Sequence, residues 1–294
     1  MIHTVALFPV LDKLLIECLR SCAEEDWKRF TLARKWTVKD VAAHLLDGNI
    51  RTISMLRDGH FGEPPAGINS YSDLVNYLNN LNADWVAAYK RVSTALLIEQ
   101  LEKTGPEYWA CMASLDPMAE AIFTVSWAGE TRSLNWFHVA REYTEKWHHQ
   151  QQIRTALGMP EPLMVPELFD PFISTLLMGM PHALRNSKAG EGSLLKMEII
   201  SASLLRWNWK KTVEGWKLIE EYEAGDDRNT IAGVSEKETN DAGRIATASI
   251  RIPAELAWQL FTRAINPLEA MERVEIDGSK ELAREALGMV AVMA

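Results

Sequence analysis

The chain has 294 residues, 47% hydrophobic and 24% charged, a composition typical of a globular protein with one or two domains. Its net charge of −9 and its lack of a basic run argue against nucleic acid or an anionic membrane as the main partner, because both attract basic patches. The N-terminus lacks the basic start of a signal peptide, and no apolar run reaches the ~18 residues of a membrane span. Two of the three cysteines, Cys18 and Cys22, are expected to be buried thiols, so we expect a cytoplasmic protein without a membrane span.

Segments with helical periodicity dominate the first two thirds of the chain. They span about residues 8–28, 37–58, 70–103 and 133–157, with a further helix at about 166–184. The second helix should begin at Thr37, whose hydroxyl can cap it together with Asp40 three residues on. We expect the third to stop at Gly105–Pro106 and the fourth at Gly158. Four long helices predict a four-helix bundle.

The pattern changes after a polar join at about residues 186–194. Short runs rich in β-branched and aromatic residues predict strands at LLKMEIIS, TVEGWKLIEEY, TASIRI and MERVEIDG. The segment GDDRNTIAGVSEKETNDAGR is expected to form a hairpin or loop, Pro253 should open the helix PAELAWQLFTRAI, and a closing helix should span Lys280–Met289. The sequence therefore predicts two domains: a helical bundle over residues 1–188 and a small α+β domain over residues 189–294.

The candidate site lies in EYTEKWHHQQQIRTALG, which places two carboxylates and two adjacent histidines within eight residues. Glu145 and His149 are four residues apart, so both side chains can reach one divalent cation from the same helix face. His138 and Glu142 lie on the same stripe, whereas His148 should point elsewhere. The opposite side carries three aromatic residues, Trp136, Tyr143 and Trp147. Taken alone, such a stripe is more often a solvated face than half of a metal site.

A catalytic metal site needs a third ligand from another element, with a further position left open. The best donor is His44 in WTVKDVAAHLLD, on the edge of the stripe expected to face the bundle core. A histidine in that position is more often a hydrogen-bonded core residue, so both interpretations stay open. His3, His60 and His182 are weaker candidates.

The motif W-T-V-x-D-V-x-x-H-L-x-D at Trp36–Asp47, followed about 100 residues later by E-x-x-x-H, resembles the DinB-like superfamily. More narrowly, it is similar to the mycothiol-dependent maleylpyruvate isomerases. The resemblance implies that His44, Glu145 and His149 bind a divalent metal, with zinc expected first and nickel as the alternative. This chain has Gln152 where the family commonly has an aspartate, which puts the surroundings of the metal ligands in doubt.

The C-terminal segments IPAELAWQLFTRAI and VEIDGSKELAREALGMVAVM resemble the sterol-carrier-like domain attached to these enzymes. The resemblance also implies an arginine in this domain that assists activity, and Arg263 is the nearest match. A surface arginine on an amphipathic helix is the competing interpretation. The implied fold is a DinB-like four-helix bundle followed by a small α+β sterol-carrier-like domain.

Enzymes of this family use the metal to hold the thiol of a small cofactor, such as mycothiol, bacillithiol or glutathione. The thiolate adds to an electron-poor double bond; expulsion after rotation gives isomerisation, and retention gives S-transfer. We therefore expect a thiol and a small electrophilic substrate as partners. Two alternatives remain: a non-catalytic protein that binds a metal or an apolar ligand, and a metal-assisted hydrolase with Glu142 as base. The residues do not identify the thiol, the electrophile or the metal, and a homodimer is left open.

Overall fold

The computed structural model describes residues 1–33, 35–63, 65, 67–223 and 247–292. Their contacts group the chain into two compact units, which are described separately. The first consists mainly of Met1–Ser126 and Glu130–Thr175, and the second of Trp127–Gly129 and Leu176–Ala291. The predicted domain boundary after residue 188 stays a prediction.

The first unit is helical, as predicted. Its helices are α1 (Phe8–Arg20), α2 (Val38–Leu56), α3 (Tyr71–Tyr89), α4 (Thr94–Ala113) and α5 (Asn135–Leu157), and α6 (Pro166–Leu177) begins in it. Helices α4 and α5 each pack against both α1 and α2, which closes a four-helix bundle, and α3 packs on the outside against α2. The core between them is formed by apolar residues at helical spacing, such as Leu15 and Leu19 of α1 and Val38, Val41 and Leu45 of α2.

The start of α2 is as predicted, and this helix carries His44. The hydroxyl of Thr37 accepts a hydrogen bond from the Asp40 amide at 3.3 Å, and the Asp40 carboxylate accepts one from the Thr37 amide at 3.0 Å. This reciprocal capping box satisfies two amides that the helix itself leaves unpaired. The local sequence therefore sets where α2 begins.

Two predicted helices have different bounds in the structure. The segment 70–103 was expected to be one helix, but it divides into α3 and α4, and Ser93 caps α4 by accepting a hydrogen bond from the Leu96 amide. Pro106 was expected to end this helix, but it lies inside α4, which continues to Ala113. The packing of α4 against α1 and α2 outweighs the one backbone hydrogen bond that a proline removes. The first helix ends at Arg20, and Asp26–Lys28 forms a separate 3-10 turn.

The second unit contains a five-stranded sheet in the order β3-β2-β1-β4-β5, which confirms the predicted α+β class. The strands are β1 (Leu194–Ile200), β2 (Leu204–Thr212), β3 (Gly215–Glu223), β4 (Ala248–Pro253) and β5 (Glu275–Gly278). Helices α7 (Met180–Ala183), α8 (Ala254–Phe261), α9 (Pro267–Met271) and α10 (Lys280–Leu287) complete this unit. The β1–β4 pair is parallel and the other pairs are antiparallel. Whether this unit is sterol-carrier-like stays a prediction.

The sequence patterns did not predict strand β2, although its residues alternate between buried and partly buried, as in a half-buried strand. Leu205, Trp207 and Trp209 are buried, whereas the residues between them are only partly buried. The predicted strand TVEGWKLIEEY begins in the turn between β2 and β3, where Thr212 pairs with Gly215, and its remaining residues form most of β3. The predicted loop GDDRNTIAGVSEKETNDAGR lies outside the described residues.

None of the helices in the described part of the chain is both long enough and apolar enough to span a membrane.

Candidate metal centre

Helix α5 is buried around most of its circumference, so the interpretation of its polar stripe as a solvated face is wrong. The polar side chains buried along it include His138, Thr144, His148, Gln151 and Gln152. The aromatic side is buried as well. Tyr143 donates a hydrogen bond to the Leu168 carbonyl at 2.7 Å, and Trp147 stacks on Phe172 with ring centroids 3.9 Å apart. Buried polar groups need partners, and two of these groups are imidazoles, which are common metal ligands in proteins.

Three side chains of α5 converge. Glu145, His148 and His149 each offer one ligand atom, and these atoms all lie within 4.8 Å of one another. The Nε2 atom of His149 lies 3.6 Å from Oε2 of Glu145, as the spacing of four residues predicts. In the described part of the chain, no second group of three or more histidine, cysteine or carboxylate side chains comes together in this way.

Gln152 orients the ring of His149. Its Oε1 atom lies 3.0 Å from Nδ1 of His149. An amide oxygen only accepts hydrogen bonds, so this contact places the imidazole proton on Nδ1. The lone pair is then on Nε2, the nitrogen that faces Glu145. Gln152, which stands in place of the aspartate common in the resembled family, therefore still supplies a hydrogen-bond acceptor to His149.

The structure brings His44 of α2 to the same place. The centroids of the His44 and His149 rings are 4.6 Å apart, with the rings at 77° to each other. Nδ1 of His44 is buried and has no hydrogen-bond partner among the described residues. Because nearly all buried polar atoms in proteins have a partner, this ring is suited to a bound ion or ligand. His44 thus lies against His149 but outside the group of ligand atoms within 4.8 Å of one another, and the role of His44, Glu145 and His149 as a ligand set stays a prediction.

The electrostatics of the cluster suit a cation. Burial lowers the pKa of His44 well below its usual 6.5, and the neighbouring His149 lowers it further. Burial likewise lowers the pKa of His148 to about 4. For Glu145, burial acts to raise the pKa, but the neighbouring charges of His148, His149 and Arg141 outweigh it, and the pKa falls to about 2. Near neutral pH, His44 and His148 are neutral and Glu145 is ionised, which are the protonation states that metal ligation requires.

The expectation that His148 points away from the cluster is wrong. Its ring centroid lies 3.9 Å from that of His149, and its Nδ1 atom lies 2.9 Å from the Thr144 carbonyl oxygen. The sequence signal that could have identified it is its spacing from Glu145, because residues three apart also share a helix face.

Trp36, the first residue of the motif around His44, is a residue of the site that the sequence did not indicate. Its ring centroid lies 4.9 Å from that of His44 and 6.4 Å from that of His149. The loop that presents it is held by the amide and the hydroxyl of Thr31, which both donate to the Trp36 carbonyl at 2.9 Å. Trp36 thus forms an apolar wall beside both imidazoles.

Glu142, the predicted base, takes part in a different set of contacts. Its carboxylate accepts a hydrogen bond from the Tyr108 hydroxyl at 3.1 Å and pairs with Arg141. Arg141 also contacts Nδ1 of His138 at 2.8 Å. Burial, and then the Glu142 charge, raises the pKa of Tyr108 well above its usual 10, so Tyr108 stays a hydrogen-bond donor. The catalytic role of Glu142 stays a prediction.

Arg263 lies in the second unit, just after α8. The helix ends at Phe261, so Arg263 does not lie on an extended amphipathic helix. Its φ of 62° is in the left-handed region, and its amide donates to the Leu260 carbonyl at 3.1 Å. Its side chain is exposed, and its assisting role stays a prediction.

Comparisons with known proteins find one family. Residues 11–154 match the family model described as mycothiol maleylpyruvate isomerase N-terminal domain. Among solved structures, the chain is similar to a crystal structure of the mycothiol-dependent maleylpyruvate isomerase, with 12% identity, a TM-score of 0.49 and 88% of each chain covered. A histidine-to-alanine mutant of that enzyme gives 11% identity and a TM-score of 0.47, over 89% of this chain and 88% of the other. A search of curated protein sequences gives no match. The matched region contains His44, Glu145 and His149.

Proposed function

We propose that the protein is a metal-dependent isomerase or S-transferase that uses a low-molecular-weight thiol, and the match of residues 11–154 to the family model of the mycothiol maleylpyruvate isomerase N-terminal domain supports this proposal. The observation that carries the proposal is the meeting of His44 from α2 with Glu145 and His149 from α5. His44 and the pair Glu145 and His149 lie about 100 positions apart in the sequence but come together at one partly buried place.

The residues present fit a divalent cation. Two imidazoles and one carboxylate form a donor set typical of catalytic zinc, with nickel as the alternative metal. The unpartnered Nδ1 of His44 supports a ligand at this position. When bound, such a cation lowers the pKa of a coordinated thiol and so supplies a thiolate near neutral pH.

The surrounding side chains have supporting roles in this proposal. Gln152 keeps the lone pair of His149 on Nε2, and the negative charge of Glu145 offsets part of the charge of a cation. Trp36 covers the imidazoles on one side and limits the access of water. An apolar, partly enclosed setting strengthens every charge interaction within it.

The substrate in this proposal is a small electrophile with an electron-poor double bond. The thiol is mycothiol, bacillithiol or glutathione, and the reaction takes place in the cytoplasm. Glu142, which Tyr108 and Arg141 hold, would act through its neighbours on α5, and Arg263 would assist the activity. Metal-assisted hydrolysis has weaker support, because the Glu142 carboxylate is already bonded by Tyr108 and Arg141.

The test is elemental analysis of the purified protein, followed by thermal shifts with zinc or nickel and then with each of the three thiols. We expect one metal ion per chain and a thiol-dependent shift that requires the metal. The zinc affinity of the His44→Ala and His149→Ala variants should fall well below that of His60→Ala, a control in an exposed loop.

A protein that takes up neither zinc nor nickel would refute the proposal. Hydrolysis without any thiol would favour the hydrolase. Ligand binding that survives metal removal, without turnover of any thiol and electrophile pair, would favour the binding protein.

A further inference from the structure

The histidine that the family resemblance leaves without a role lies in the middle of the cluster. His148 is 4% exposed, and its ligand atom is within 4.8 Å of those of Glu145 and His149. A structural role alone would explain its burial, since Nδ1 of His148 lies 2.9 Å from the Thr144 carbonyl oxygen. The question is whether its second nitrogen has a use.

The hydrogen bonds distinguish the three histidines. A histidine that binds a metal usually donates its other ring N–H to a backbone carbonyl or a similar acceptor, which fixes the tautomer and the ring orientation. His148 has such an acceptor in the Thr144 carbonyl, and His149 has one in Gln152. In both rings the proton is therefore on Nδ1 and the lone pair on Nε2. Nδ1 of His44 has no such partner among the described residues.

From this arrangement we infer that His148 is a further ligand of the metal, so that α5 alone supplies three donors: Glu145, His148 and His149. This inference rests on the metal site of the proposed function and extends it. His44 is then the donor that joins α2 to a site already formed on one helix. Four protein donors fill a tetrahedral zinc site, so the thiol of the proposed function would bind as a fifth ligand or in place of one of these donors.

The most direct test counts imidazoles in the wild-type protein loaded with one equivalent of zinc, by X-ray absorption spectroscopy. We expect three imidazole ligands, from His44, His148 and His149. The count should fall to two in His44→Ala, which should still bind zinc because α5 keeps its three donors. A count of two in the wild-type protein would contradict the inference without any use of a His148 variant.

A competition titration with a chromogenic chelator gives the second measurement. Removal of an outer partner of a metal ligand already costs about 10–100-fold in affinity, so His148→Ala should lose about 100-fold or more. His138→Ala is the matched control, because His138 is also a buried histidine of α5 but contacts Arg141. Circular dichroism spectra and thermal melts of each variant identify any loss that comes from unfolding.

The outcomes separate this inference from the proposed function. A wild-type protein that binds no zinc refutes both. A wild-type protein that binds zinc with two imidazoles, together with His148→Ala at wild-type affinity, refutes only the role of His148.

Discussion

Single hydrogen bonds decide which atoms of the cluster are available to a ligand. The amide oxygen of Gln152 and the carbonyl oxygen of Thr144 each hold one imidazole by Nδ1. These contacts involve no charge, so they orient the rings without adding a second carboxylate to the site. The residue three positions after His149 thus needs a hydrogen-bond acceptor, and Gln152 supplies one.

Replacement of Gln152 should weaken metal binding. Leucine has a similar volume but no acceptor, so Gln152→Leu leaves the ring of His149 free to change tautomer. We expect zinc affinity, measured by chelator competition, to fall about 10–100-fold. As a control, Gln152→Glu keeps an acceptor and should bind zinc at least as tightly as Gln152→Leu does. If Gln152→Leu and the wild type have equal zinc affinities, this hydrogen bond has no orienting role.

At the scale of the helices, α5 is held in the bundle by polar contacts as well as by apolar packing. Lys146 lies 2.7 Å from the Asp12 carboxylate of α1, and its ammonium is 4.3 Å from the centre of the Tyr108 ring. Arg154 donates to the Leu14 carbonyl of α1 at 2.7 Å. These contacts fix the position of α5 along α1, and therefore the positions of Glu145 and His149 along the bundle axis.

The ion pair between α1 and α5 gives a prediction for stability. Lys146→Met keeps most of the side-chain volume but leaves Asp12 without its partner. Loss of one partner of a fully buried pair costs about 3–5 kcal/mol, and because the Asp12 side chain is 20% exposed we expect about 2 kcal/mol in urea unfolding.

Two controls define this effect. Lys13→Met removes a lysine that is 75% exposed and should change the unfolding free energy by no more than about 0.5 kcal/mol. The double variant Asp12→Asn/Lys146→Met should recover part of the loss, since no unpaired carboxylate remains. A double variant no more stable than Lys146→Met would show that the loss comes from packing and not from the charge.

The capping box of α2 can be tested in the same way. Thr37→Ala removes the hydroxyl that accepts from the Asp40 amide and should lower the unfolding free energy by about 0.5–2 kcal/mol. Thr37→Ser keeps the acceptor and should stay close to the wild type. If both variants lose the same amount, the methyl group of Thr37 and not the cap is responsible.

For the molecule as a whole, buried histidines make stability depend on pH. His138 is 2% exposed, and burial is the main reason that its pKa falls to about 4. Because its histidine pKa is 6.5, the unfolded chain takes up this proton at a higher pH than the native protein does. Between pH 6.5 and 4 the unfolded state therefore binds more protons than the native state. The stability contributed by neutral His138 is therefore complete above pH 6.5 and is lost as the pH falls towards 4.

We expect the unfolding free energy of the metal-free protein to decrease as the pH falls from 6.5 to 4. In His138→Gln this decrease should be smaller by on the order of 2–3 kcal/mol. Denaturant unfolding at each pH measures the effect. His60→Gln, at an exposed loop position, should leave the slope unchanged. A slope that His138→Gln does not alter would mean that this ring is protonated in the folded protein.

Much of the fold could be predicted from local patterns. The capping residues of α2, the glycine after α5 and the change from helical to strand periodicity near residue 190 are all local signals, and the structure agrees with them. The patterns failed where packing outweighs local preference. Pro106 lies inside α4 because α1 and α2 hold that helix in place, and β2 is a strand because its tryptophans cover one face of the sheet.

The sequence by itself determined the spacing of Glu145 and His149, the motif around His44 and the match of residues 11–154 to one family model. The tertiary structure alone decided that the polar stripe of α5 is buried, that His44 lies against His149 and that His148 belongs to the cluster. The physical reason is that helical spacing fixes only the direction of a side chain relative to its own axis. Whether that direction meets water or another helix depends on how α1, α2 and α5 pack.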